Sequence, residues 1–131
     1  MSAHPFQLNL ALAWLWIVLG FASGFLLGLH FHREDWLGGY GSLRRRLYRL
    51  GHISFFGLAM ANFMFYFTAK SLGVPGTPLV IASWSFIVGA VSMPICCFLM
   101  AHNPKLRLLF LLPVTTLLAA GVFTLWEIIK L

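Results

Sequence analysis

Three glycines recur at four-residue spacing within the first long apolar run of this chain. Gly20, Gly24 and Gly28 lie inside the 22 residues from Leu8 to Leu29, which carry no charged side chain. A helix needs about 20 such residues to cross a hydrocarbon core of about 30 Å. Because residues four apart share a helix face, the glycines predict a flat stripe that lets a second helix approach closely in lipid.

The composition extends this membrane interpretation to the whole chain. Hydrophobic residues make up 60% of the sequence, charged residues 9%, and the mean hydropathy is +0.89, whereas soluble domains carry about 25% charged residues. We therefore predict an all-α, polytopic membrane protein, a four-transmembrane-helix bundle. Residues 1–131 form a single membrane domain without a soluble part, with spans near residues 8–29, 48–69, 78–101 and 107–129.

The first apolar run has a signal peptide as its alternative interpretation. The residues before it contain no Lys or Arg and only His4 as a weak cation. Its length also exceeds the ~7–15 apolar residues of a signal sequence. We expect the run to be retained as a membrane span.

Lys and Arg are unequally divided between the two predicted ends of the bundle. Seven lie in or beside the first and third links, against two, Lys70 and Lys130, at the opposite end. The seven are Arg33, Arg44, Arg45, Arg46, Arg49, Lys105 and Arg107. Short basic loops stay in the cytoplasm, so we expect both termini on the non-cytoplasmic side. The net charge of +6 then indicates anionic lipid headgroups as partners and not nucleic acid.

The links carry local signals for where the helices begin and end. Ser42 predicts an N-cap for a helix that starts near Leu43 and enters the membrane near His52. Residues 71–77, with Pro and two Gly, predict a tight turn between spans two and three.

Small residues at helical spacing also line spans three and four. The members are Ala82, Ser85, Gly89, Ser92 and Cys96 in span three, and Thr116, Ala120 and Thr124 in span four. Such faces serve either packing within one bundle or docking of another membrane-protein subunit or a second copy. Three close-approach faces are many for a small isolated bundle, so a partner is expected, with span one as the first candidate contact.

Three histidines fall at one predicted boundary of the membrane. His30 ends span one, His52 opens span two and His102 ends span three. Imidazole is a common haem ligand, so His52 and His102, with His30 next, are candidate axial ligands of a haem b. Arg45 and Arg49 are candidate partners for its propionates. The alternative is that the histidines anchor the helices at the interface, as Trp and Tyr do.

Asn62 lies near the middle of span two, where an unpaired amide is costly. We expect it to hydrogen-bond inside the bundle or across a subunit boundary. An aromatic face on the same helix, which includes His52 and Phe56, indicates either core packing or the wall of a quinone or porphyrin pocket.

Groups for catalysis are few in this sequence. Only Glu34, Asp35 and Glu127 are acidic, and Glu127 lies three residues before Lys130, a spacing that favours an ion pair. No catalytic residue or metal site is predicted. A four-span bundle with boundary histidines is similar in architecture to the small membrane anchor subunits of respiratory complexes. The expected function is a non-catalytic subunit of a membrane complex, and the alternative is a small haem b or quinone-linked electron-transfer protein.

Overall fold

The computed structural model describes residues 5–73 and 76–131, and this part of the chain is almost entirely helical. The four long helices are α1 (Gln7–Gly28), α2 (Leu43–Leu72), α3 (Thr77–His102) and α4 (Leu111–Ile129). Two short 3₁₀ helices, Trp36–Gly38 and Pro104–Phe110, precede α2 and α4. Within the described residues, four segments are long and apolar enough to cross a membrane. The predicted all-α fold with four membrane helices is confirmed.

Helix α2 begins at Leu43, as the Ser42 cap predicted, and so starts before the membrane span expected from residue 48. The Ser42 side chain accepts a hydrogen bond from the Arg45 amide at 3.1 Å, which confirms the predicted N-cap. The 30-residue helix is about 45 Å long, so its basic first turns extend beyond an apolar core of about 30 Å. Of the predicted turn at residues 71–77, Val74 and Pro75 lie outside the described residues, as does His4.

The start of the fourth span is a 3₁₀ helix, whereas the sequence predicted a span beginning near residue 107. Asn103 caps this Pro104–Phe110 segment by accepting from the Lys105 amide at 3.1 Å. The α-helical hydrogen bonds begin only at Leu111. Pro113 then falls in the first turn of α4, where a missing amide hydrogen costs least.

The helices pack in chain order, α1 on α2, α2 on α3 and α3 on α4, and α1 also touches α3. Two buried clusters hold α1, α2 and α3 together, one around Phe65 and Leu79 and one around Trp16 and Phe55. Helix α4 lies chiefly along α3. Three side chains of α4 are buried, namely Pro113, Ala120 and Glu127. They are seven residues apart, which places them on one narrow seam.

At each intramembrane proline, a side chain of another helix contacts the carbonyl group four residues earlier. Pro94 has no amide hydrogen for the carbonyl of Ala90, and the Trp16 indole of α1 donates to that oxygen at 2.9 Å. Pro113 has no amide hydrogen for the carbonyl of Leu109; that oxygen accepts a backbone N–H at the end of the 3₁₀ segment, and the Cys96 thiol of α3 lies 3.4 Å from it. Neighbouring helices must satisfy such groups because lipid offers no water. The prolines therefore also fix how α1 and α4 sit on α3.

Candidate functional site

A buried polar cluster joins the first three helices at one level. Asn9 donates from Nδ2 to Asn62 Oδ1 at 2.9 Å and to the Ser83 carbonyl at 3.2 Å. Ser83 Oγ donates to Asn9 Oδ1 at 2.5 Å, and Asn62 Nδ2 donates to the Leu58 carbonyl at 2.8 Å. Asn62 is thus paired inside the bundle, one of the two alternatives predicted. Sequence reasoning missed Asn9 and Ser83, although the cost of a lone amide in lipid applies equally to Asn9.

The glycine stripe of α1 faces α2 of the same chain. A Cβ atom built on Gly20 would meet the Phe56 ring at 2.7 Å, and one on Gly24 would meet His52 Cε1 at 2.8 Å. A Cβ on Gly28 would meet nothing within 4 Å. Gly20 and Gly24 therefore serve packing within the bundle, and Gly28 alone leaves the stripe open to another molecule.

His52 is held against α1 by a serine. Its Nδ1 lies 2.9 Å from Ser23 Oγ, and the same hydroxyl lies 3.0 Å from the Gly20 carbonyl oxygen. When the hydroxyl hydrogen points to Gly20, His52 must donate from Nδ1, which leaves Nε2 as an acceptor. Nε2 carries no hydrogen bond to any residue of 5–73 or 76–131. The missing Cβ of Gly24 is what gives the ring its place.

The other two boundary histidines have separate partners. His102 Nε2 lies 2.6 Å from the Tyr48 hydroxyl. His30 Nδ1 lies 2.9 Å from the carbonyl of Leu26, and its ring stacks on Trp36 at 5.3 Å between centroids. The His102 ring is therefore bound to α2, and the His30 ring is bound to the end of α1.

Arg45 fastens the link between α1 and α2. Its side chain is 3% exposed, and it donates to the carbonyls of Arg33 and Phe31 at 3.0 and 2.5 Å. The guanidinium carbon lies 4.2 Å from the centroid of the Tyr40 ring, with the Phe31 and Trp36 rings beyond it. The Arg45 guanidinium is therefore engaged by hydrogen bonds and cation–π contacts within the link between α1 and α2. Arg49 is exposed on α2.

The predicted haem-binding residues fit a haem poorly in the arrangement observed. His102 offers Nε2 already bonded to Tyr48, and Arg45 is occupied by two carbonyl groups. The cavity beside Ser23, Tyr48 and Phe98 measures about 180 Å³, below the ~300–1,000 Å³ usual for small-molecule sites. No group of three or more His, Cys, Asp or Glu side chains comes together within the described parts of the chain.

Two apolar grooves flank α4. The larger, about 500 Å³, runs along α3 from Trp84 to Leu99 and is closed by Leu109 and Leu112; we call it the α3–α4 groove. The smaller, about 310 Å³, lies where α2 and α4 face each other across Phe65 and Phe86; we call it the α2–α4 groove. Its small side chains are Ala61, Thr68, Gly121 and Thr124.

Glu127 pairs with Lys130 as predicted, with Oε1 2.7 Å from Nζ. The pair lies at the C-terminal end of α4, where the buried Glu127 carboxylate is next to Lys130, the C-cap residue of the helix.

Comparison of this chain with protein-family models, with curated proteins and with solved structures finds no match.

Proposed function

We propose that this protein is a non-catalytic subunit of a membrane complex, a respiratory one among the candidates, and that its partner helix packs into the α2–α4 groove. The observation that carries the proposal is the attachment of α4 by one seam. Pro113, Ala120 and Glu127 are its buried side chains, and the rest of this apolar helix is open to lipid or to a partner.

The α2–α4 groove has the surface chemistry of a helix-docking site. A Cβ built on Gly121 would meet no atom within 4 Å, so backbone lies bare on the α4 wall of the groove. In lipid, helix association depends on close packing and not on the hydrophobic effect, and bare backbone allows the closest packing. We therefore propose the contact on α2 and α4. The span-one stripe favoured by sequence is a weaker candidate, because Phe56 and His52 already cover Gly20 and Gly24.

The use made of the intramembrane polar groups also supports a structural role. The side chains of Asn9, Asn62 and Ser83 hydrogen-bond to one another. The hydroxyl of Thr124 donates to the carbonyl of Ala120, in the same helix, at 2.8 Å. A transport path needs polar groups that are available to its substrate. Because these polar side chains already bond to one another or to their own helix, they favour a structural role over transport.

The orientation belongs to the same proposal. The seven cations of the first and third links lie at one end of the helices, and Lys70 and Lys130 lie at the other. The imbalance favours a cytoplasmic position for the links, so the N- and C-termini face the non-cytoplasmic side.

Replacement of Gly121 by Leu tests the partner contact. We expect Gly121→Leu to abolish co-purification of the partner, or dimerisation, in mild detergent, because the side chain fills the groove without touching the bundle. Gly28→Leu is the matched control, since Gly28 also has open space around it. Loss of the complex with Gly28→Leu alone would move the contact back to α1. A wild-type protein that purifies as a monomer with no associated chain would disprove the subunit proposal.

The haem alternative is separated from this proposal by the absorption spectrum of the same preparation. A haem b protein would show a Soret band that weakens in His52→Ala and in His102→Ala. A colourless preparation from haem-replete cells would leave the histidines as interfacial anchors, bonded to Ser23 and Tyr48.

A further inference from the structure

We infer that the α3–α4 groove is a binding site for one anionic phospholipid, with an acyl chain in the groove and the phosphate at the cations of the Pro104–Phe110 segment. This site lies on the opposite side of α4 from the proposed partner contact and is independent of it.

The groove is long enough to hold a single hydrocarbon chain over the full depth of one leaflet. It follows α3 from Trp84 to Leu99, which is about 22 Å along a helix, and one leaflet of the hydrocarbon core is about 15 Å deep. Its volume is about 500 Å³. A hydrocarbon chain anchored at the end of α3 therefore has room to lie along it.

The polar atoms that line the groove are turned to their own partners. Ser92 Oγ lies 3.4 Å from the Gly89 carbonyl, and Cys96 Sγ lies 3.4 Å from the Leu109 carbonyl. The remaining lining is aliphatic or aromatic. Such a surface offers dispersion contacts to a hydrocarbon chain and no hydrogen bond to a polar ligand.

Cations collect where the groove reaches the end of α3. The 3₁₀ segment that contributes Leu109 to the groove also carries Lys105 and Arg107, both exposed. Nearby, Arg44 is tied to the last turn of α3 by a 3.0 Å hydrogen bond from Nε to the Ala101 carbonyl.

Neither Lys105 nor Arg107 forms an ion pair within the described residues. They are the only charged residues between Ser71 and Trp126, and within residues 5–73 and 76–131 the ion pair formed is that of Lys130 with Glu127. A phosphate diester supplies the missing negative charge, and its lipid chain supplies the apolar occupant. Charge and shape thus point to the same ligand.

Native mass spectrometry of the full chain in detergent, with added phosphatidylglycerol or phosphatidylcholine of identical acyl chains, tests the site. We expect one phosphatidylglycerol to bind in preference to phosphatidylcholine. Lys105→Gln/Arg107→Gln should weaken its binding about twenty-fivefold, at about fivefold for each cation removed. Arg46→Gln/Arg49→Gln removes two exposed cations from the same end of the bundle, and it should change binding by less than about twofold.

A second pair of variants tests the groove itself. Val91→Trp fills the groove from a half-exposed position and should expel the lipid chain, whereas Val122→Trp places the same bulk on a lipid-facing part of α4 outside it. Circular dichroism checks that both variants fold. Equal binding of the two lipids, equal losses from the two double Gln variants, or unchanged binding in Val91→Trp would each overturn the inference.

Discussion

At the scale of single residues, the bundle depends on side chains that fill hydrogen-bonding gaps in another helix. Trp16 does this at the Ala90 carbonyl, which Pro94 leaves without an amide donor, and Asn9 adds a hydrogen bond to the Ser83 carbonyl. An unmet carbonyl in lipid is costly, so these contacts select one rotation of α1 against α3 from the many that would bury similar apolar area.

The Trp16 contact yields a prediction with its own internal control. Trp16→Phe should lower the free energy of unfolding by about 1 kcal/mol through the lost hydrogen bond, in addition to any loss of packing. Pro94→Ala restores an amide hydrogen to the Ala90 carbonyl. In that background Trp16→Phe should therefore cost about 0.5–1.5 kcal/mol less.

The measurement is a double-mutant cycle of unfolding in mixed micelles. Trp126→Phe serves as the matched control, because Trp126 is largely exposed on α4. Strictly additive effects of Trp16→Phe and Pro94→Ala would show that the indole and the proline are not coupled.

At the scale of elements, the pairing of α1 with α2 depends on two glycines that accept aromatic rings. Gly20 receives Phe56, Gly24 receives His52, and the third glycine of the stripe receives nothing. The three glycines therefore differ in how well they tolerate a larger side chain, although all three lie on the same face of a helical projection.

Alanine substitution along this stripe should show the difference. Gly24→Ala puts a methyl group 2.8 Å from His52 Cε1, so the ring must shift and weaken its bond to Ser23, at a cost of about 1–3 kcal/mol. Gly28→Ala meets open space and should leave stability unchanged or raise it, since Ala favours helix over Gly by about 1 kcal/mol. Thermal unfolding of the two variants compares them directly, and equal midpoints would contradict the observed facing of α1.

At the scale of the whole molecule, the four helices form a tightly joined trio with α4 added along α3. The trio shares the asparagine cluster and both buried apolar clusters in its interior. Helix α4 depends on the fit of Leu117 over Gly89, where an added Cβ would lie within 2.4 Å of the leucine side chain. This asymmetry leaves one groove on each side of α4, one for each of the two proposed ligands.

The orientation of the whole bundle is open to chemical labelling. In a Cys96→Ala/Cys97→Ala background, a membrane-impermeant maleimide should label Lys70→Cys in intact cells and Arg46→Cys only after permeabilisation. The reverse pattern would place the arginine-rich link outside and the termini in the cytoplasm.

The sequence by itself determined the features that depend on residues close together along the chain. Four spans follow from the lengths of the apolar runs, the start of α2 from the Ser42 cap, and the Glu127–Lys130 pair from a three-residue spacing. In each case a helix or a turn fixes the geometry before any tertiary contact forms.

Only the tertiary structure decided which helix face meets which. The partners of Asn62, Gly24, Arg45 and the Ala90 carbonyl come from other segments of the chain, and two of these four contacts join residues more than 50 positions apart. The membrane helices are apolar on nearly every side, so burial alone does not choose how each one is rotated. That choice comes from a few polar groups and close approaches that lipid leaves unsatisfied, and these become visible only when the helices are assembled.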